Sequence, residues 1–367
     1  MKFRAAVLHR PGEPLAIEEV ELGALRPGDV RVRLRASGLC HTDLEVMQGS
    51  LAYPMPIVLG HEGAGVVEAV GAGVSLVAPG DHVVLSWNPS CGRCYYCNLG
   101  QPILCEPFTR HQPAGHLLDG GSRLSLGGRK LHHFSVVSSH AEYCVVPEAG
   151  AIRMPKELPF DCACLIGCGV MTGVGGARLG EVESGASVAV IGCGAVGLNA
   201  VQGARLREAG RIIAIDRVQE RLARSRAFGA TDLIDASQGE IPEKVKALTS
   251  GRGADNVLEC AGHESAFRLS AEIVRRGGRV VWLGKVGVNQ DVAFRWGSLM
   301  GEKRFTRSSY GGARPRQDFP WLASLYLEGR LKLDELIDLR LELAAINQGF
   351  DAMRANRVVR AVVVLGA

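Results

Sequence analysis

Four cysteines fall within fifteen residues, Cys91, Cys94, Cys97 and Cys105, in the run CGRCYYCNLGQPILC. The spacing C-x2-C-x2-C-x7-C lets four thiolates converge on one tetrahedral zinc ion. Four thiolates close the coordination sphere, so such an ion would brace a loop and leave no position for a substrate. Chemistry must then sit elsewhere. Two segments twenty residues apart offer further ligands, Cys40-His41-Thr42-Asp43 and Gly60-His61-Glu62-Gly63, and Cys168 in IGCGVMTG offers a third. Three protein ligands with one open position is the catalytic arrangement of zinc, and two cysteines with one histidine is one of its forms. On spacing alone, Cys40 reads equally as a buried thiol and His61 as a satisfied loop histidine.

A second kind of chemistry is written in Gly192-Cys193-Gly194-Ala195-Val196-Gly197, a G-x-G-x-x-G run. It follows the apolar run VAVI and opens a helical pattern, so helix N–H groups and their dipole can face a pyrophosphate. Asp216 ends the next apolar run, RIIAID, nineteen residues past the last glycine. A carboxylate there can accept from both ribose hydroxyls and would repel a 2′-phosphate, which favours NAD over NADP. Arg217 follows at once and is either a modifier of that choice or a solvated charge.

These residues need elements to hold them. Up to about Cys168, short β-type runs such as Asp29–Arg35, Gly65–Val70 and His82–Ser86 are cut by Gly and Pro, which predicts a mostly antiparallel, barrel-like domain. From Gly169 to Ser309, apolar strand runs alternate with helical patterns, which predicts a doubly wound α/β domain on a parallel sheet. Helices are expected near Asp318–Leu327 and Ala344–Ala355. A last strand over Val358–Leu365 is expected to return to the first segment. The Gly-rich, basic stretch Asp119–His133 reads as a flexible loop or a subunit contact.

Composition excludes several classes. The chain has 367 residues, enough for two cores, with 47% hydrophobic and 22% charged residues and a net charge of +4. That charge is too small and dispersed for nucleic acid. No run reaches the roughly eighteen uncharged apolar residues of a membrane span. Eleven cysteines without a secretion signal point to a reducing, cytoplasmic compartment and to metal use rather than disulfides.

CHTD, GHEGAG, the four-cysteine lobe, IGCGVMTG, GCGAVG with its downstream Asp, and the C-terminal RVVRAVVVL occur in the order of the zinc-containing medium-chain alcohol dehydrogenases. The chain resembles that family over essentially its whole length. The resemblance implies a GroES-like catalytic domain over 1–168 and 310–367, a Rossmann domain over 169–309 and an active site in the cleft between them. It implies Cys40, His61 and Cys168 as catalytic zinc ligands, Glu62 behind the metal and Asp43 orienting His61. Cys91, Cys94, Cys97 and Cys105 would hold a structural zinc, giving two zinc ions per chain, and Thr42 would bond the substrate oxygen. The residues expected to face NAD(H) are His41, Thr172, Gly192, Gly194, Val196, Gly197, Asp216, Arg217, Arg221 and Arg360. Leu51 and Trp87 are the expected pocket walls. Many members end a proton relay at a histidine five residues after the first ligand, and Glu45 stands there instead.

The activity so implied is reversible hydride transfer between a primary alcohol, aliphatic or aromatic, and NAD through a zinc-bound alkoxide. The segment Ser50–Pro56 lacks the acids with which glutathione-adduct dehydrogenases hold their charged substrate. Yet IGCGVMTGVGGA and the stretch from RSSYGGARPRQDFP onward are similar to the mycothiol-dependent branch, which acts on thiol adducts of formaldehyde or nitroso compounds. The excess of Arg over Lys, 34 to 8, suits a GC-rich genome where such thiols occur. A third reading, a non-catalytic zinc- and nucleotide-binding protein, has little reason to keep an open zinc position. A homodimer is expected, with a tetramer as the alternative.

Overall fold

The computed structural model describes residues 1–366. They form two compact units, Met1–Cys168 with the segment from Arg314 onward, and Gly169–Ala313.

The first unit is built on two mostly antiparallel sheets. Asp29–Gly38 is the spine of one: Glu62–Val70, Tyr143–Pro147 and the C-terminal strand Arg360–Val364 all pair with it antiparallel. The chain end thus returns to the first segment. Asp29–Gly38 alternates a buried series, Val30, Val32 and Leu34, with half-buried or exposed arginines at 31, 33 and 35, the period-2 signature of a half-buried strand. The second sheet runs in the order Arg129–Lys130, Leu124–Leu126, Ala16–Leu22, Lys2–Leu8, Ile57–Val58 and His132–His133. The Asp119–His133 stretch is therefore part of a sheet rather than a loose loop. Arg123, buried, grips Asp29 with Nε at 2.6 Å from Oδ2 and Nη2 at 3.0 Å from Oδ1, and ties the stretch to the spine strand.

The second unit holds one parallel sheet. In chain order its strands are Ser187–Ile191, Arg211–Asp216, Asp232–Asp235, Ala254–Glu259, Val274–Trp282 and Arg304–Arg307. Their spatial order is 3-2-1-4-5-6, that of dinucleotide-binding sheets. The central strands SVAVI and RIIAID are buried nearly throughout, as strands covered on both faces must be. Strand order reverses between Ser187–Ile191 and Ala254–Glu259, beside the glycine-rich turn.

One helical run, Phe160–Leu179, has the length and mean hydropathy of a membrane span, which qualifies the expectation that no such stretch exists. It is a core helix, with 83% of its apolar window buried inside the protein.

Candidate metal and nucleotide sites

Cys40 caps the helix His41–Gln48 from an extended conformation, φ −127° and ψ 154°. Asp43, in the first turn, bends back so that its Oδ2 accepts from the Cys40 N–H at 3.1 Å. This box fixes where the Cys40 thiol points. His61 follows Gly60, whose φ of +91° suits glycine, and leads into the strand Glu62–Val70. Cys168 comes from one π-helical turn, Ile166–Val170, set between the α-helical stretches Phe160–Leu165 and Met171–Leu179. Such turns displace a single stretch of helix and recur at functional sites. The ligand atoms of Cys40, His61, Glu62 and Cys168 all lie within 4.8 Å of one another.

Asp43 is the hub of this cluster. It is wholly buried, and its Oδ1 accepts from Gly60 N at 3.0 Å and from His61 Nδ1 at 3.3 Å. With Nδ1 so engaged, His61 has Nε2 left for a cation. Burial opposes charge on His61, but the Asp43 carboxylate and the Cys40 sulfur outweigh it and push the imidazole up to about 10. Cys40 lies well below the usual thiol range, chiefly through its hydrogen bond with Cys168, with His61 adding to the effect against burial. An imidazolium thus sits against a thiolate, and a cation binding there would displace the imidazole proton. Two sulfurs and an imidazole are a zinc donor set, and the residues fit that ion.

Glu62 is fully buried and makes an ion pair with the buried guanidinium of Arg360. Gly38 makes room for them, since a Cβ there would strike Glu62 Oε2 and lie 3.0 Å from Arg360 Nη2. Arg360, expected at a pyrophosphate, is engaged here by Glu62. Thr42 is half-buried with Oγ1 3.9 Å from Cys40 Sγ. His41 is exposed, and Glu45, one turn on, is half-buried.

The four-cysteine group is gathered equally tightly, all sulfurs within 4.8 Å. Cys94 caps the short helix Tyr95–Asn98, and Cys105 Sγ accepts from Cys91 N at 3.2 Å. The thiols share charge unevenly. A backbone N–H at Glu106 draws Cys94 down to about 7, while burial and the neighbouring Cys94 push Cys97 up to about 12. A divalent cation relieves that competition, so this lobe also fits zinc. Among the described residues these are the two groups of three or more His, Cys, Asp or Glu side chains so placed.

In the second unit, Gly192 (φ +88°) turns out of the strand Ser187–Ile191, and a Cβ on it would lie 2.8 Å from Ala261 N. A Cβ on Gly197 would collide with Gly192 O, while Gly194 faces open space and caps the helix Ala195–Leu206. That leaves the helix N-terminus clear for a phosphate. Asp216 ends its strand with Oδ2 accepting from Cys193 N at 2.6 Å and Oδ1 from Val218 N at 2.9 Å. The carboxylate therefore holds the glycine-rich turn as well as offering lone pairs to a ribose. Thr172 is buried, Val196 and Arg221 are half-buried and Arg217 is exposed.

Leu51 and Trp87 are half-buried and pack against the core of the first unit. Residues not anticipated are Phe134, whose ring packs edge-on against His61 at 5.5 Å, and His140 with Ser37, buried beside Asp43. No spacing flags these, because Phe134 and His140 lie in the irregular stretch after His132–His133 and only the folded chain brings them to Asp43 and His61. Glu259, buried at the end of Ala254–Glu259, is another that no motif flags; its Oε1 accepts from Ala261 N and Gly262 N, both at 2.8 Å.

Fold and donor chemistry together define a class, the metal- and dinucleotide-binding oxidoreductases. Comparison with known proteins narrows it. Residues 26–156 match the alcohol dehydrogenase GroES-like domain, and residues 195–328 match the zinc-binding dehydrogenase domain. The chain is 38% identical to an S-(hydroxymethyl)glutathione dehydrogenase of Escherichia coli over 367 residues, covering 99% of this chain and all of the other. Among solved structures it is similar to an alcohol dehydrogenase zinc-binding domain protein from Burkholderia ambifaria, at 36% identity and a TM-score of 0.95 over the full length of both. It is also similar to the benzyl alcohol dehydrogenase of Acinetobacter calcoaceticus, at 29% identity and a TM-score of 0.94, again over both full lengths. The chain belongs to the zinc-containing medium-chain dehydrogenase family. Its first unit is the GroES-like domain and its second the Rossmann-type domain of that family.

Proposed function

We propose that this NAD-dependent zinc dehydrogenase oxidises the S-hydroxymethyl adduct that formaldehyde forms with a low-mass thiol. The observation that carries this reading is the 38% end-to-end identity with an S-(hydroxymethyl)glutathione dehydrogenase. Chemically, R–S–CH2OH is a primary alcohol, so the site inferred for simple alcohols serves it unchanged. Hydride leaves the carbinol carbon for C4 of nicotinamide and the hydroxyl proton departs, giving R–S–CHO, NADH and a proton.

In this reading Cys40, His61 and Cys168 hold the catalytic zinc. The chemistry such an ion supplies is Lewis acidity toward the substrate oxygen, which eases loss of the hydroxyl proton. Asp43 keeps His61 oriented, and the Glu62–Arg360 pair sets the charge behind the ligands. Thr42 accepts the hydroxyl proton and hands its own outward. Asp216 selects NAD through the ribose.

The thiol itself is expected to differ from glutathione, because Ser50–Pro56 carries no acid to meet an ammonium group. A simple primary alcohol, the first expectation from sequence, stands second; the likeness to a benzyl alcohol dehydrogenase favours an aromatic one. NADH formation from formaldehyde with a panel of thiols, set against ethanol and benzyl alcohol, separates them. The adduct of one thiol should exceed every simple alcohol in kcat/KM by about tenfold or more, about 1.4 kcal/mol of transition-state binding. Benzyl alcohol turned over as well as any adduct would reverse the order.

A further inference from the structure

His140 is fully buried in the first unit and no part of the assigned machinery includes it. Its backbone and that of Ser139 close on the turn that carries His61. His140 N donates to Leu59 O at 3.0 Å, and Ser139 N donates to Gly60 O at 2.9 Å. Gly60 has no room for a side chain here: a Cβ would lie 2.5 Å from His140 N and 2.6 Å from His140 Nδ1. The ring is held on one side only. Nδ1 lies 2.9 Å from Ser37 Oγ, and Ser37 Oγ lies 2.7 Å from Ser139 Oγ. Nε2 has no hydrogen-bond partner, and Asp43 Oδ1 is 3.8 Å away.

An ordinary core histidine would have both nitrogens satisfied, since an unmet buried polar atom is costly. Of the two tautomers, the one with Ser37 donating to Nδ1 carries the ring proton on Nε2, toward the Asp43 carboxylate; the other would set a bare lone pair against that anion, so the first is favoured. Three of the roughly four lone-pair sites of that carboxylate are already taken, by Cys40 N, Gly60 N and His61 Nδ1. The distance of 3.8 Å is too long for a hydrogen bond but short for a charge–dipole attraction in a buried setting.

We propose that His140 is a positioning residue for the catalytic metal. Held by Ser37, it presents Nε2–H to Asp43 and so steadies the carboxylate that orients His61. The inference rests on Cys40, His61 and Cys168 being metal ligands and is independent of which substrate is used.

The test is zinc retention against a chelator, with the d–d spectrum after cobalt substitution, for the parent, His140→Phe, His140→Gln and Ser37→Ala. Phe keeps an aromatic volume without the donor, and Gln restores a donor. His140→Phe should lose zinc from the three-ligand site about tenfold more readily, the low end of the range for partners in direct contact with a ligand. Its cobalt spectrum should shift, its four-cysteine zinc should stay, and His140→Gln should resemble the parent. Ser37→Ala, which frees the ring, should move in the same direction as His140→Phe and carries the test if His140→Phe fails to fold. Equal retention in parent, His140→Phe and Ser37→Ala overturns the proposal, as does equal loss in His140→Phe and His140→Gln. A parent holding only one zinc would overturn the metal-site reading on which it stands.

Discussion

Two buried carboxylates in the second unit do opposite things with their neighbours. Asp216 accepts backbone N–H groups on both oxygens and stays available to a ribose. Replacing it with Ser should remove the repulsion of a 2′-phosphate. The ratio of kcat/KM for NAD to that for NADP should then fall about tenfold or more, about 1.4 kcal/mol in the comparison of cofactors. An unchanged ratio would place cofactor choice elsewhere. Glu259 is instead pushed up to about 7 by burial, against the backbone N–H groups that favour its ionised form. Between about 4.5 and about 7 the folded protein therefore holds a proton that the unfolded chain has released, so stability falls as pH rises through that window. Glu259→Gln cannot ionise. Thermal unfolding of the parent should drop between about pH 5 and pH 7.5, and the drop should shrink in the variant; equal slopes would mean that Glu259 does not govern it.

At the scale of elements, the candidate metal ligands owe their meeting to three local devices: a helix cap at Cys40, a glycine turn before His61 and a π turn at Cys168. None of these announces itself in spacing. On spacing alone Cys40 and His61 are open between ligand and bystander, and the ordered motifs of the family decide for ligand. The four-cysteine lobe was legible at once, because its ligands lie within fifteen residues and local spacing alone brings them together. The central parallel strands were equally plain as short apolar runs, whereas the edge strand RFTR, Arg304–Arg307, was not, since its mostly exposed charged residues suit an edge. The stretch Asp119–His133 reads as loose because its hairpin is Gly-rich and basic; pairing with Ala16–Leu22 and Ile57–Val58, and Arg123 reaching back to Asp29, anchor it. Arg123→Met should leave Asp29 buried without its partner and cost about 3 kcal/mol. That is a fall of about 6 °C or more in the unfolding of the first unit. A fall under about 2 °C would mean that the stretch does not depend on this pair.

For the whole molecule, the two units divide the labour. The first gathers both metal groups and the second the dinucleotide turn. What the chain does not disclose is the group beyond the reacting carbon, because Leu51 and Trp87, expected from sequence as pocket walls, pack against the core of the first unit as any apolar side chain would. In the proposed reaction hydride passes from the carbinol carbon of a thiol adduct to NAD. The most direct measurement supplies dideuterated formaldehyde with thiol and NAD and follows the label by mass spectrometry. One deuterium in each NADH formed, an S-formyl thioester as the partner product and a rate that depends on thiol are expected. NADH that forms equally fast without thiol, or that carries no deuterium, would contradict it.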